Sequence, residues 1–305
     1  MNISRINAIG FLGNLYIMDW FFLTIFSSFS LAFAELIQQN LLNKKNAPNE
    51  RVSGVLTFIF QSLIGFILLA LFGMTDQIAF LFDKTIFPKV FLVACISSIG
   101  MIFYLRSFKV KNISISTIFI SFSVIVSTVL GIIFFSESVH YVKFLGIFLI
   151  LFAIIFLNYQ NASLEKNHIY GLLGGFFFGI SAVLDKSIVL EVHPLVYLSL
   201  SFFLVAFWGF LFGMKQVLIF ARSSNRIAFG WIMVSGIGYF LYNICVFFAY
   251  KYGGEVGKID AINNLEIFLI ILFEYIFLKH TQGTLRKVFS ATLVIIGVYL
   301  LGIVQ

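Results

Sequence analysis

The chain has little charge, little cysteine and no clustered histidine, and each shortage excludes a class of protein. Only 11% of its 305 residues are charged, whereas soluble domains carry about a quarter. Its two cysteines, Cys95 and Cys245, both fall in apolar segments, which favours packing over a disulfide or a metal site. The four histidines have no metal-ligand spacing, and there is no Walker-type glycine loop. We therefore expect no cofactor, no enzyme activity and no direct ATP drive.

What the chain does contain is apolar residues, at 61% of the sequence and a mean hydropathy of +1.04. This composition predicts a polytopic membrane protein. Residues 1–19 are expected to form an N-terminal tail before a start-transfer first span, because they lack the cleavage pattern of a removable signal peptide. The net charge of +7 falls in loops, which is typical of topogenesis and contact with anionic headgroups rather than of nucleic-acid binding.

Charge, proline and glycine clusters divide the apolar sequence into ten candidate membrane spans, which must be helices because lipid offers no partner to backbone groups. The loop between the second and third spans holds a short apolar run, IAFLF, that could lie in the interface. The ten spans are Trp20–Leu42, Val52–Gly73, Pro88–Phe108, Ile113–Phe135, Tyr141–Tyr159, Ile169–Val189, Pro194–Met214, Ile227–Tyr250, Val256–Leu278 and Leu285–Val304.

A weak internal repeat relates the two halves of the chain. A shift of 143 residues places the fourth span on the ninth, so that Thr117, Ser121 and Ser123 fall on Asp260, Asn264 and Glu266. One residue further on, Gly146 and Ala153 match Ser290 and Gly297, small residues that would let helices approach closely. Five spans in each half force the second half to enter the membrane upside down. We therefore predict an all-α integral membrane fold of two inverted five-helix repeats, residues 20–160 and 168–305, around a central cavity.

The orientation of the chain follows from its basic residues. Thirteen Lys and Arg residues fall on the side of the first-to-second span loop, and six fall on the other side. The positive-inside rule then places both termini outside.

The ninth span carries the densest set of polar residues: Asp260, Asn263, Asn264 and Glu266. Such groups cost several kcal/mol in hydrocarbon unless they face a partner or water. They are therefore candidates for lining a polar cavity, and the alternative is that they lie at headgroup level or hydrogen-bond across helices. Glu274, nearer the far end of the span, could equally reach the interface.

The first and sixth spans add further ionisable candidates. Glu35 and Gln38 lie one helical turn apart, with Glu35 well inside the membrane, where it could bind a cation or take up a proton. The alternative is a salt bridge from Glu35 to Arg106 or Lys186. Asp185 and Lys186 are adjacent and point in different directions, so that one of them is expected to face the cavity.

An aromatic and amide surface is predicted on the eighth span, where Tyr239 and Asn243 are four residues apart with Tyr242 beside them. Such a surface suits a flat or cationic metabolite, although tyrosine is also common at membrane interfaces. Tyr104 and Arg106 hold a related place in the first half. The interior inventory of five carboxylates against two cations, Lys186 and Arg106, favours a cationic or zwitterionic substrate, or proton coupling.

The run from Ser107 to Leu157 resembles the fourth and fifth helices of the EamA-like transporters of the drug/metabolite transporter superfamily. The resemblance rests on the turn at Ser107–Lys109, the pair Ser136 and Glu137, and Gly146, and the segment from Ala249 repeats it. It implies ten helices around a central cavity and alternating access for small metabolites. The chain departs from the family pattern at Ser123 and Glu266, where proline is usual, and at His280 or Thr281, where a second glutamate is usual. The family typically has both termini inside, against the charge count.

We therefore predict a secondary active transporter of small metabolites, such as amino acids or other amine-bearing compounds, with coupling to protons as a further expectation. The alternative is a transporter of nucleotide-linked or phosphorylated metabolites, which would need a basic cavity. We expect a multi-pass protein of a bacterial inner (plasma) membrane, as a monomer or homodimer, whose partners are a small-molecule substrate and the lipid bilayer and not nucleic acid. The substrate-binding or coupling residues are predicted to be Glu35, Gln38, Arg106, Asp185, Lys186, Tyr239, Asn243, Asp260, Asn263, Asn264 and Glu266.

Overall fold

The computed structural model describes residues 20–110, 113–136, 140–159, 166–222, 225–276 and 283–303. The predicted tail, and the predictions about Glu137, His280 and Thr281, lie outside this part of the chain. Within it the regular structure is entirely helical, with twelve α-helices and one 3₁₀-helix, Thr75–Phe82, which contains the IAFLF run. The α-helices are α1 Trp20–Leu42, α2 Glu50–Leu71, α3 Phe87–Ser107, α4 Ile113–Ile120, α5 Phe122–Phe135, α6 Tyr141–Tyr159, α7 Lys166–Val189, α8 Pro194–Arg222, α9 Arg226–Lys251, α10 Val256–Asn263, α11 Glu266–Ile276 and α12 Thr284–Ile303.

Seven stretches of the described chain are long and apolar enough to cross a membrane. They correspond to the first four predicted spans and to the sixth, seventh and eighth. The all-helical membrane class is thus confirmed, whereas the number of ten spans stays a prediction. The seven stretches are Trp20–Leu42, Glu50–Leu71, Phe87–Ser107, Ile113–Phe135, Asn167–Val189, Pro194–Arg222 and Arg226–Lys251.

Helix α1 shows why the bundle suits lipid rather than water. Its large aromatic side chains point outward, with Phe29 57% exposed, while Glu35 is fully buried. The two kinds of residue recur at helical spacing on opposite faces. A helix with its apolar face out and its polar face in is stable only where the surroundings are apolar.

The two halves of the chain pack against each other in a symmetric set of helix pairs. Helix α1 packs on α9, and its counterpart α7 packs on α3. The pairs α2 with α8 and α6 with α12 each join a helix to its own counterpart. Helices α6 and α12 approach closely because a Cβ atom at Gly297 would lie 2.6 Å from the carbonyl oxygen of Gly146. This contact confirms the predicted role of small residues there.

The predicted fourth and ninth spans are each interrupted, which the sequence analysis did not anticipate. Ser121 separates α4 from α5, and Asn264 with Leu265 separates α10 from α11. At the second break the backbone bonds from Asn264 N to Ala261 O (3.2 Å) and from Leu265 N to Ile262 O (2.9 Å) span three residues instead of four. This is 3₁₀ geometry, which often marks a functional hinge.

At both breaks a side chain donates a hydrogen bond to a backbone carbonyl group four residues earlier in the chain. Ser121 Oγ donates to Thr117 O at 3.2 Å, and Asn264 Nδ2 donates to Asp260 O at 2.7 Å. A serine hydroxyl that bonds the carbonyl four residues earlier often bends a helix, although Asn243 makes such a bond to Tyr239 O at 2.8 Å within the continuous helix α9. The same kind of side-chain bond thus occurs at both breaks, and the breaks fall at positions that the shift of 143 residues pairs.

Candidate functional site

A cavity of about 140 Å³ lies among the helices of both halves. Its wall is built from α1, α2 and α3, from α7, α8 and α9, and from the two interrupted helix pairs. Its polar lining comprises the carboxylates Glu35, Asp185, Asp260 and Glu266, the amides Gln61, Asn243, Asn263 and Asn264, the tyrosines Tyr104, Tyr239, Tyr242 and Tyr250, and the serines Ser97, Ser123 and Ser181.

The charge of this lining has one sign. Four carboxylates face the cavity, and no lysine, arginine or histidine among the described residues lines it. Burial takes water away from these carboxylates, so each must be compensated by a hydrogen bond, a proton or a cation. The cavity is therefore chemically matched to positive charge.

Glu35 is held by a chain of phenol groups. Its Oε1 accepts a hydrogen bond from the Tyr104 hydroxyl, which lies 3.4 Å from the hydroxyl of Tyr239. The Tyr104 ring is fixed in turn by Phe108 and Phe178, at centroid distances of 4.6 and 5.2 Å. Helices α1, α3 and α9 thus fix one carboxylate through aromatic side chains from both halves.

The break between α10 and α11 brings the predicted cluster of the ninth span to the cavity. Asn263 Oδ1 accepts hydrogen bonds from Ser27 at 2.5 Å and Ser28 at 3.4 Å, and Asn264 Oδ1 accepts one from Ser121. These bonds across helices match the packing alternative for the two asparagine oxygens. The same residues also face the cavity, so that both interpretations hold for different atoms of one cluster.

Several buried polar atoms of the lining have no hydrogen-bond partner within the described part of the chain. They are Glu35 Oε2, Asp260 Oδ2, Glu266 Oε2, Gln61 Nε2 and Asn263 Nδ2. Native proteins satisfy almost all such groups, and an unsatisfied one costs about 1–3 kcal/mol. The set contains three acceptors and two donors, and the residues that carry them all line the same cavity.

Asp185 and Lys186 separate as their adjacency predicted. Asp185 lines the cavity and accepts a hydrogen bond from the Tyr197 hydroxyl. Lys186 is buried outside the lining, with its ammonium group 4.7 Å from the centroid of the Phe135 ring. Of the two, the carboxylate faces the site.

Two predicted site residues lie elsewhere. Gln38 is buried in a network in which its Nε2 donates to Thr57 at 2.9 Å and to Ser235 at 3.0 Å, because it points to the packed side of α1. Arg106 is exposed at the end of α3, with its guanidinium 4.3 Å from the centroid of the Tyr170 ring. Neither lines the cavity, and Glu35 forms no ion pair with Arg106.

Glu274 does not reach the interface. It is 1% exposed and pairs with Lys287 of α12 at 2.8 Å, while Ser114 donates to it from its backbone nitrogen at 3.1 Å and its hydroxyl at 2.6 Å. The sequence analysis missed Lys287, which stands at the start of an apolar segment. Of the five carboxylates predicted inside the membrane, Glu274 therefore belongs to a structural ion pair and does not line the cavity.

Gln61 is the main lining residue that the sequence analysis missed. Its Oε1 accepts a hydrogen bond from Asn243 Nδ2 at 3.0 Å, and its buried Nε2 has no partner in the described residues. A lone glutamine in the middle of an apolar span was the available signal. Ser97 and Ser181, which bond each other at 3.0 Å across α3 and α7, gave a weaker signal.

Comparisons with known proteins agree with this architecture. The chain resembles a solved structure titled "Crystal structure of protein", with a TM-score of 0.59 and 14% identity, over 92% of this chain and 94% of that one. This likeness shows the fold alone. The comparison with curated proteins gave no match. A family model described as the EamA-like transporter family matches twice, over residues 18–159 and 166–303, once in each half. Because these matches cover nearly the whole sequence, the chain belongs to the EamA-like transporter family.

Proposed function

We propose that the protein is a secondary active transporter of small amine-bearing metabolites, such as amino acids or related cationic compounds. The observation that carries the proposal is the lining of the cavity, with four carboxylates and no basic side chain among the described residues. A permanent anion would be repelled there, whereas an ammonium group would compensate the buried negative charge. Membership of a transporter family and several membrane-spanning helices are both consistent with this activity.

The unpartnered atoms favour a zwitterion within this class. Glu35 Oε2, Asp260 Oδ2 and Glu266 Oε2 can accept hydrogen bonds from an ammonium group. Gln61 Nε2 and Asn263 Nδ2 can donate to a carboxylate. An α-amino acid carries both groups on one carbon, and it would satisfy donors and acceptors that are otherwise left without partners.

The mechanism we propose is alternating access of two inverted five-helix repeats, residues 20–160 and 168–305, with ten helices in total. The symmetric pairs of helices and the matched breaks at Ser121 and Asn264 support it. Interrupted helices at the centre of a bundle are how many transporters build substrate sites. Protons and substrate would compete for the carboxylates, which would couple their movements in opposite directions. The same proposal places the protein in a bacterial plasma membrane, as a monomer or homodimer.

The test begins with ligand binding by the purified full chain in detergent. Thermal unfolding is followed with a panel of amino acids, polyamines, nucleosides and sugar phosphates. Amines should raise the melting temperature of the wild type and have little effect on Glu35→Gln or Glu266→Gln. The matched control is Glu191→Gln, which removes an exposed carboxylate that pairs with Lys89 on the surface at 3.2 Å. Stabilisation by sugar phosphates alone, unchanged in the two cavity variants, would overturn the proposal and favour the phosphorylated class.

Transport is tested in liposomes that contain the protein and a trapped pH dye. An outward-directed amine gradient should drive protons inward, and a protonophore should abolish accumulation of a labelled amine against its gradient. Amine uptake without any movement of protons would leave the substrate class standing and refute the coupling.

A further inference from the structure

A basic and amphipathic surface lies at one end of the bundle, away from the cavity. It is formed by the loop after α1, the last part of α8 and the start of α9. These parts surround an open groove of about 600 Å³ whose lining includes Asn46, Pro48, Gln216, Ile219 and Asn225. Asn225 Nδ2 donates to Asn46 O at 3.4 Å across it. The proposed transport function does not use this surface.

The geometry of α8 places this surface at the level of the lipid headgroups. The helix kinks at Gly213, whose φ of −128° and ψ of 19° are not helical. From Pro194 to Gly213 the helix rises about 30 Å at 1.5 Å per residue, which is the thickness of the hydrocarbon core. Arg51 Nη1 donates to Phe212 O at 2.7 Å, and so satisfies a carbonyl group beside the kink. A span that enters the hydrocarbon at Pro194 and runs along the membrane normal would leave it close to Gly213, before residues 214–222.

Residues 214–222, the α8 extension, have the pattern of a segment lying in the interface. Met214, Leu218 and Ile219 are 50, 44 and 59% exposed, and Lys215 and Arg222 are exposed beside them. Trp231 of α9 lies beside the loop after α1, with Lys44 Nζ 5.2 Å from its ring centroid. Tryptophan is enriched at the membrane–water interface, and amphipathic segments with apolar and basic residues lie in it.

Basic residues flank the groove lining in the sequence. Lys45 precedes Asn46, Lys215 precedes Gln216, Arg222 follows Phe220 by two residues and Arg226 follows Asn225. These four residues, which we call the basic rim, are all exposed. Among the described residues, the acidic residue closest in sequence to the groove lining is Glu50, at the start of α2. Its carboxylate is paired with Lys109. The rim therefore carries positive charge that the described protein leaves uncompensated, at a depth where phosphate groups are the natural counter-ions.

We infer that the groove and its basic rim bind the headgroups of anionic phospholipids in the leaflet they face, with the acyl chains lying along the exposed apolar residues of the α8 extension. The phosphodiester would interact with the rim, and the amides of Gln216 and Asn225 would lie beside it. The conformation of α8 at its kink would then depend on the lipid composition of the membrane.

The experiment compares the full chain in nanodiscs of phosphatidylglycerol and of phosphatidylcholine with identical acyl chains. We expect a higher melting temperature in phosphatidylglycerol and an increment that shrinks as salt is added. The double variant Lys215→Gln/Arg222→Gln should lose most of the increment. In a titration with short-chain phosphatidylglycerol it should bind about 30-fold more weakly, because each basic residue contributes about one kcal/mol at an anionic surface.

The matched control removes two exposed lysines before the start of α3 and in its first turn, Lys84→Gln/Lys89→Gln, and should keep the increment. Brominated phosphatidylglycerol should quench the fluorescence of the wild type more than that of Trp231→Phe, which reports contact beside the groove. Equal melting temperatures in the two lipids, or an equal loss in the control, would overturn the inference. Stabilisation by inorganic phosphate as strong as that by lipid would also overturn it. None of these readouts depends on the proposed substrate.

Discussion

Ser121 and Asn264 lie 143 residues apart in the sequence and are joined by a hydrogen bond from the serine hydroxyl to the amide oxygen. Each stands at the break of an interrupted helix, at equivalent positions of the two halves. The symmetry of the chain thus brings its two irregular backbone segments into contact beside the cavity. We therefore expect a movement of one break to shift the other through this hydrogen bond.

A double-mutant cycle on this pair tests whether the two breaks are energetically coupled. Ser121→Ala and Asn264→Ala should each lower the free energy of unfolding by about 1 kcal/mol or more. The double variant should lose less free energy of unfolding than the two single variants lose together, and the difference, the coupling energy, should be about 1 kcal/mol. Equilibrium unfolding in mixed micelles measures it. The control is Ser290→Ala, whose fully buried hydroxyl has no hydrogen-bond partner in the described residues, so its loss should be neutral or stabilising. Strict additivity would contradict the coupling.

The close packing of α7 against the first break gives a second prediction. A Cβ atom at Gly175 would lie 2.5 Å from Ile120 O and 3.0 Å from Ser123 N, both backbone atoms that cannot move away cheaply. Gly175→Ala should therefore destabilise the protein by about 1–3 kcal/mol and weaken ligand binding.

Gly230 of α9 provides the control for this glycine, because a Cβ atom there would meet nothing within 4 Å. Gly230→Ala should be neutral or stabilise the helix by up to about 1 kcal/mol. The same unfolding assay compares the two variants. Equal effects would mean that the approach of α7 to the break is not required.

The sequence predicted the helical class and most of the cavity because both follow from the cost of polar groups in lipid. Glu35, Asp185, Asp260 and Glu266 were recognisable as rare carboxylates inside apolar spans, and all four line the cavity. Gln38 is also a polar residue inside an apolar span, but it bonds Thr57 and Ser235 on other helices. The spacing of residues within one span cannot predict such partners. Depth in the membrane can be read from a sequence, whereas the direction of a side chain within a bundle cannot.

The two helix breaks show that the course of the backbone is also only partly predictable from the sequence. Ser121 and Asn264 were found as paired positions of a repeat, but an apolar run predicts a continuous helix. Whether a serine or asparagine bonds its own helix or a neighbour depends on the neighbour. Here Asn264 bonds both its own helix and Ser121, whose hydroxyl lies within hydrogen-bond reach of Thr117 O and of Asn264 Oδ1. The two interruptions inside the predicted spans could not be read from the run of apolar residues.

The ion pair between Glu274 and Lys287 should behave as a buried structural contact. Lys287→Met leaves a carboxylate without its cation and should lower the free energy of unfolding by about 3–5 kcal/mol. The double variant Glu274→Gln/Lys287→Met should recover much of this loss, because the amide oxygen still accepts a bond from Ser114. Lys89→Met, which breaks an exposed pair, should cost less than about 1 kcal/mol. A loss at Lys89 as large as that at Lys287 would contradict the assignment.

His193, in the loop between α7 and α8, predicts how stability varies with pH. Burial, and then the nearby charge of Lys251, hold the pKa of this imidazole below its ordinary value. The unfolded chain therefore binds a proton more readily than the folded protein, so stability is lost as pH falls through the ordinary histidine range near about 6.5.

The measurement is the melting temperature at about pH 7.5 and about pH 5.5, on either side of that range. The wild type should melt lower at the acidic pH, and His193→Gln should reduce the difference. Lys251→Met should reduce it in part, because one cause of the shift is removed. A pH difference that is unchanged in both variants would assign the effect to other groups.

Gln61 should decide whether the site accepts zwitterions or only amines. Gln61→Glu keeps the oxygen that accepts from Asn243 and replaces the Nε2 donor, which has no partner in the described residues, with a carboxylate oxygen. A substrate carboxylate would then lose a donor and meet a negative charge, so amino acid binding should weaken by about ten- to a hundredfold. A diamine has no carboxylate and should bind at least as tightly as before. Thermal-shift titrations with an amino acid and its decarboxylated amine measure both on one protein, and a parallel loss of the two ligands would show that Gln61 does not contact a substrate carboxylate.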